Sequence, residues 1–349
     1  MFNINNILRE NIKKTKPYSS ARDEYNGHEG IFLDANENPI GSVTKENFNR
    51  YPDPLQKEVK ERLSELKRVK PSQIFLGNGS DEAIDLLFRA VCVPGADNVI
   101  TMPPTYGMYE VSANINDIRI KEVPLSTDFE IQADKVLAAV DAHTKMIFVC
   151  SPNNPTGNSM NPESVEKILR SFNGLVAIDE AYIDFAQYKS FIGKLDQYPN
   201  LVVLQTFSKA WGLAALRLGI AYASEEIIAV INKIKPPYNI NQLTQELALE
   251  ALGNVLKKEG MVAEILFQRT KLVNQLSEIK TITKIYPSDA NFVLIKTADG
   301  KKLYDFLVSK KIITRDRSKV ILCEGCVRIT VGTKEENDLL IKAIQEYKN

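Results

Sequence analysis

Residues 144–151 (TKMIFVCS), 174–182 (GLVAIDEAY) and 200–209 (NLVVLQTFSK) each carry an uninterrupted apolar, β-branched run. A strand with one wet face alternates apolar and polar residues, so runs without alternation are covered on both faces. Helical patterns lie between and before them, as in 163–172 (ESVEKILRSF) and 80–93 (SDEAIDLLFRAVCV), with Ser80 as the expected cap and Asp81 and Glu82 in the first turn. Shorter strands are expected at 72–78, 97–102 and 117–125, with a helix after Pro104. The pattern predicts an α/β fold: a large domain with a mostly parallel mixed sheet covered by helices. It changes after Pro236-Pro237 to long helical stretches followed by "ANFVLIKT", "GKKLYDFLVSKKIITRD" and "CVRITVG". That suits a smaller α+β domain. We expect an arm at 1–35 packing on the small domain or a dimer partner, a large domain at 36–240 and a small one at 241–349.

Composition narrows the function. The 349 residues are 44% hydrophobic and carry 44 basic and 44 acidic side chains, leaving a formal charge of zero. Nucleic-acid binding normally rests on a basic face, so no nucleic-acid partner is expected. No apolar run reaches a membrane span and the N-terminal stretch lacks a signal-peptide core, so no membrane association and a cytoplasmic location are expected. Cys92, Cys150, Cys323 and Cys326 make no disulfide framework in a chain this long. The C-x-x-C of Cys323 and Cys326 reads as a turn with two thiols, and His28 and His143 supply no second half of a metal site. Acid–base chemistry therefore falls to another group.

Lys209 is the prime candidate. It ends an apolar run and is followed by Ala210-Trp211-Gly212. Burying an unpaired ammonium costs several kcal/mol, and a lysine so placed tends to lose its proton and become nucleophilic. Ligands of an open α/β sheet sit outside the carboxyl ends of its strands, and four unusual clusters fall there. Gly77-Asn78-Gly79-Ser80-Asp81 leads into a helix N-terminus, where free N–H groups attract anions. "SPNNPTG" (151–157) is turn-rich but has two adjacent asparagines, and "AIDEAY" places Asp179, Glu180 and Tyr182 at a strand end. Neighbouring strand residues face opposite ways, so one carboxylate is expected to face the cleft and the other to make structural contacts. "TFSKAWGLAALRLG" (206–219) joins Thr206, Ser208, Lys209 and Arg217, a phosphate cup of hydroxyls and a guanidinium beside an imine-forming amine.

In this order the motifs resemble the signature of pyridoxal-phosphate aminotransferases of the aspartate aminotransferase fold. "KPYSSAR", "LDANENP", "RYPDP", "PPTYGMY" and "VRITVGTKEEN" narrow the resemblance to the histidinol-phosphate aminotransferase family, over nearly the whole chain. Trp211, and Ala215 where glycine is common, depart from the family's usual pattern and are expected to adjust packing behind the lysine. The resemblance implies fold type I and pyridoxal 5'-phosphate held as a Schiff base on Lys209, which then moves a proton. It implies that Asp179 pairs with the pyridine nitrogen, Asn154 and Tyr182 hydrogen-bond the phenolic oxygen, and Tyr106 stacks on the ring. Ser80, Asp81, Ser208 and Arg217 match the phosphate cup. Tyr51 matches a tyrosine that reaches the neighbouring subunit's cofactor, which implies a homodimer. Arg328 matches an anion-binding arginine, with Arg315, Tyr18 and Asn154 as further substrate contacts. The implied reaction moves an amino group between L-histidinol phosphate and 2-oxoglutarate, giving imidazole acetol phosphate and glutamate. Broad aromatic aminotransferases and threonine-phosphate decarboxylases share the fold and much of the motif set, and stay open as alternatives.

Overall fold

The computed structural model describes residues 2–17 and 30–347. Seven strands form the large sheet: β1 (Ile74–Asn78), β2 (Asn98–Thr101), β3 (Arg119–Glu122), β4 (Thr144–Cys150), β5 (Leu175–Asp179), β6 (Leu201–Thr206) and β7 (Leu218–Ala223). Their order is β1-β7-β6-β5-β4-β2-β3, and only β7 runs against its neighbours. The three apolar runs are the centre of this sheet. Alternate residues along each strand feed two cores. Ile147, Val149, Val176 and Ile178 meet the helix Pro162–Ser171 on one face, and Met146, Phe148, Leu175 and Ala177 meet Gly79–Val91 on the other. Both faces are dry, as uninterrupted apolar strands require.

Pairing of Cys150 with Asp179, Asp179 with Leu204 and Thr206 with Gly219 aligns the ends of β4, β5 and β6. β1 runs in the same direction, and Asn78 pairs with Leu218. All four sequence clusters therefore open onto one edge of the sheet.

The smaller sheet has the order β10-β11-β9-β8, from β8 (Ile282–Ile285), β9 (Phe292–Thr297), β10 (Arg315–Asp316) and β11 (Cys326–Thr330), all antiparallel. Helices Val255–Ser277, Gly300–Ser309 and Lys334–Glu346 close its core. The last of these opens with a capping box between Thr333 and Glu336. The helix Gln242–Leu252, read from sequence as the start of this unit, packs against Lys57–Lys67, and Gln245 donates to the Asp53 carbonyl at 3.1 Å.

Two local expectations change. The helix after β1 opens at Gly79 with Asn78 as its N-cap, so Ser80 lies inside the first turn and does not cap it. Residues at the start of the chain, expected on the small domain or a partner, lie on the large sheet's helices. Ile4, Leu8 and Ile12 join the core beneath Gly79–Val91, and Lys233 donates to the Ile12 carbonyl at 2.7 Å. No helix among the described residues is long and apolar enough to cross a membrane.

Candidate active site

The aligned strand ends enclose a cavity of about 590 Å³, its open mouth included. Nine of the expected residues line it: Ser80, Asp81, Tyr106, Asn154, Asp179, Tyr182, Ser208, Lys209 and Arg217. They arrive in five groups, 80–81, 106, 154, 179–182 and 208–217, from segments brought together by strand alignment.

Asp179 ends β5 and is buried at the cavity floor. Its Oδ2 accepts from the Tyr109 hydroxyl at 2.9 Å and its Oδ1 from the Ala181 N–H at 3.1 Å. Burial pushes its carboxyl up to about 6, against the downward pull of those two hydrogen bonds. Glu180 turns the other way. It accepts from the Ser190 hydroxyl, the Phe191 N–H and the Gln205 amide at 2.5, 2.7 and 2.9 Å, so it ties loops together behind the sheet. The division of labour expected of neighbouring strand residues is met.

Lys209 follows β6 and is half-buried, its Nζ 5.5 Å from the centre of the Tyr182 ring. Burial lowers the pKa of its ammonium, the Arg328 guanidinium lowers it further, and Asp179 opposes both. Among the described residues it forms no ion pair. The amine is thus biased toward the neutral, nucleophilic form. Behind it Trp211 stacks on Phe207 at 5.1 Å, whereas Ala215 is exposed and packs behind nothing. The expectation for Ala215 is corrected: it lies on the outward turn before Arg217.

The anion cup is built by close backbone approach. A Cβ on Gly219 would lie 2.1 Å from the Ser80 nitrogen, so glycine alone lets β7 pass the helix start. Ser80 and Asp81 sit in a first turn whose N–H groups find no acceptor within the helix. Arg217, held at φ 54° with its carbonyl accepting from Gly79 N–H at 2.6 Å, swings its guanidinium to 3.5 Å from the Ser208 hydroxyl. Thr206 supports the cup, since its hydroxyl oxygen accepts from the Ser208 N–H at 3.1 Å.

The rim holds the rest. Tyr106 donates to Asp81 at 3.2 Å. Asn153 is fully buried and donates to the Pro104 carbonyl at 2.8 Å, leaving Asn154 as the asparagine that faces the cavity. The Arg328 guanidinium donates to the Asn154 side-chain oxygen and lies 5.2 Å from the Phe292 ring centre. Arg315 pairs with Arg328 across β10 and β11 but is exposed and does not line the cavity. Tyr51 is also outside this cavity. It is half-exposed, stacked on Tyr238 at 4.5 Å, with its N–H held by Glu37 at 2.7 Å. Tyr18 lies outside the described residues.

One contributor escaped sequence reasoning. Tyr109 holds Asp179, and its only signal was its place three residues after Tyr106. Thr206, expected among the hydroxyls of the cup, lines the cavity and supports Ser208. Together the groups fit a phosphorylated pyridine aldehyde. There is an N-terminal cup for the phosphate, a buried carboxylate for a ring N–H and an amine for the aldehyde.

The sequence profile of the aminotransferase class I and II family matches residues 25–344. A histidinol-phosphate aminotransferase from Cytophaga hutchinsonii is 64% identical over 346 residues, covering 99% of each chain. The crystal structure of the histidinol-phosphate aminotransferase from Clostridium acetobutylicum superposes with a TM-score of 0.79 at 25% identity, covering 86% of this chain and 90% of that one. The enzyme of that name from Sinorhizobium meliloti, solved in complex with pyridoxal-5'-phosphate, shares the fold at TM-score 0.79 and 24% identity, covering 85% of this chain and 82% of that one. The chain belongs to the class I and II aminotransferase family, among the histidinol-phosphate aminotransferases.

Proposed function

We propose that this protein moves an amino group between L-histidinol phosphate and 2-oxoglutarate, giving imidazole acetol phosphate and glutamate, as a step of histidine synthesis. The observation that carries the reading is the convergence of Lys209, Asp179, Asn154 and the Ser80–Arg217 cup on one cavity, in a chain 64% identical to a protein of that name. Pyridoxal phosphate, when bound, supplies an electron sink for the bond to the substrate's reacting carbon. Ser80, Asp81, Ser208 and Arg217 would hold its phosphate and Lys209 its aldehyde carbon.

The protein's share of the chemistry follows from its electrostatics. Asp179 would hold a proton at the ring nitrogen of the bound group, and Tyr109 fixes its carboxylate. Lys209, biased neutral, would take the proton from the substrate carbon onto Nζ and act as the acid–base group of the transfer. Tyr182 and Asn154 would hydrogen-bond the group's phenolic oxygen. Arg328 takes the anionic group beside the reacting carbon, phosphate in one substrate and carboxylate in the other, since a guanidinium serves both bidentately. Tyr51 reaches the partner's cofactor in a homodimer, and Arg315 and Tyr18 assist substrate binding. The purified protein, incubated with 2-oxoglutarate and in turn L-histidinol phosphate, phenylalanine and O-phosphothreonine, should form glutamate fastest with the first. Faster turnover of phenylalanine would assign it to the aromatic enzymes. Carbon dioxide from O-phosphothreonine would make it a decarboxylase.

A further inference from the structure

A second cavity opens beside the first and shares Tyr106 and Asn154 with it. Arg317 and Lys319, on the loop after β10, supply its positive charge. The backbone of Arg317 is fixed, its N–H donating to the Cys326 carbonyl at 2.9 Å. Its side chain is half-buried with Nε out of contact with solvent and without a hydrogen-bond partner. Among the described residues no carboxylate pairs with it. Glu110 and Glu122, also on this cavity, are exposed and form no ion pair with either cation. The charge of Arg317 reaches the reaction site, since together with Arg328 it pulls down the pKa of the Tyr182 phenol against the upward push of burial. Three guanidiniums, of Arg315, Arg317 and Arg328, thus crowd one corner and mutually oppose their charges. A half-buried guanidinium with an unpartnered Nε beside like charges is costly, and the cost is relieved when an anion arrives.

The two amino donors differ in how many anions they bring. L-Histidinol phosphate has one anionic end, and glutamate has two. Arg328, against Asn154, serves the anion next to the reacting carbon in both. We infer that Arg317, with Lys319 at the rim, is a second anion subsite that takes the distal carboxylate of glutamate and 2-oxoglutarate and is left unused by L-histidinol phosphate. This rests on the proposed pair of substrates. It gives one site a way to accept a dicarboxylate and a neutral imidazole in alternate half-reactions.

The test compares holoenzyme carrying Arg317→Gln or Arg317→Lys with the parent. Each half-reaction is followed separately by cofactor absorbance, and calorimetry measures binding of glutarate, a dicarboxylate with no amino group. Loss of a charge-assisted pair should raise the half-saturating glutamate concentration and the glutarate Kd about 10- to 100-fold in Arg317→Gln. Arg317→Lys should recover part of this, and L-histidinol phosphate should change by less than about threefold, within the scatter of a surface charge change. Equal losses with both donors, a loss confined to L-histidinol phosphate, or unchanged glutamate and glutarate binding would overturn the subsite. If the parent fails to use L-histidinol phosphate while Arg317→Gln still loses glutamate and glutarate, the subsite stands and the substrate assignment falls.

Discussion

Lys209 and Asp179 are perturbed by the same burial in opposite senses, and both end nearer neutrality than they would in water. For Asp179 the consequence is thermodynamic. Its folded pKa of about 6 lies above the ordinary value of 3.8, so folding is penalised wherever the unfolded carboxyl ionises first. The penalty is absent below about pH 4, grows between about pH 4 and 6, and is full above that, at about 3 kcal/mol. We therefore predict that cofactor-free Asp179→Asn is more stable to urea than the parent at pH 7.5, that the gap closes toward pH 4, and that cofactor binding is weakened. A stability gap independent of pH would contradict the buried carboxylate as its source. The sequence named the chemistry-bearing side chains and Thr206 beside Ser208, but not the support of Asp179. Asp179 announced itself by its strand end, whereas Tyr109 is 70 positions from the carboxylate it holds. Asn153 and Asn154 look alike in sequence, and only the packing of the loop onto Pro104 separates the structural one from the one facing the cavity.

Among the elements, β7 governs the site although its residues carry no catalytic group. It alone runs against the sheet, passing so close to the helix start that Gly219 admits no side chain. Gly219→Ala should displace the Gly79–Ser80 backbone and cost about 1–3 kcal/mol by overpacking. Thermal unfolding should show the loss, and cofactor titration should show weaker binding, because the N–H groups of the cup move with that backbone. Unaltered cofactor affinity would mean the helix start is not the phosphate site. The central strands were legible because burial on both faces strips them of alternation. β7 was not, since only the single 3-10 turn Ala214–Leu216, and no α-helix, separates Leu218–Ala223 from β6. The Ser80 cap was misplaced by one turn signal: Gly79, at φ 73°, already satisfies the sharp bend, and the helix begins there.

Across the whole molecule, the segment leading to Tyr51 exposes Ile31, Leu33, Ile40 and Val43 almost completely. Apolar side chains gathered on one segment this way mark an interaction surface, and Tyr51 stands beside it, away from its own cavity. The proposed homodimer, with each Tyr51 completing the partner's site, would account for both. Mixing inactive Lys209→Ala with Tyr51→Ala chains under subunit exchange should then raise activity above the sum of the two parents, because one site of each mixed dimer regains both residues. No gain would place Tyr51 outside the partner's site. Amino transfer through Lys209 is checked by the rate of glutamate formation from L-histidinol phosphate and 2-oxoglutarate by the parent and by Lys209→Ala. The parent should turn over, and the variant should lose at least about a thousandfold, since nucleophile and general base are removed together. Comparable rates in the two proteins would contradict it.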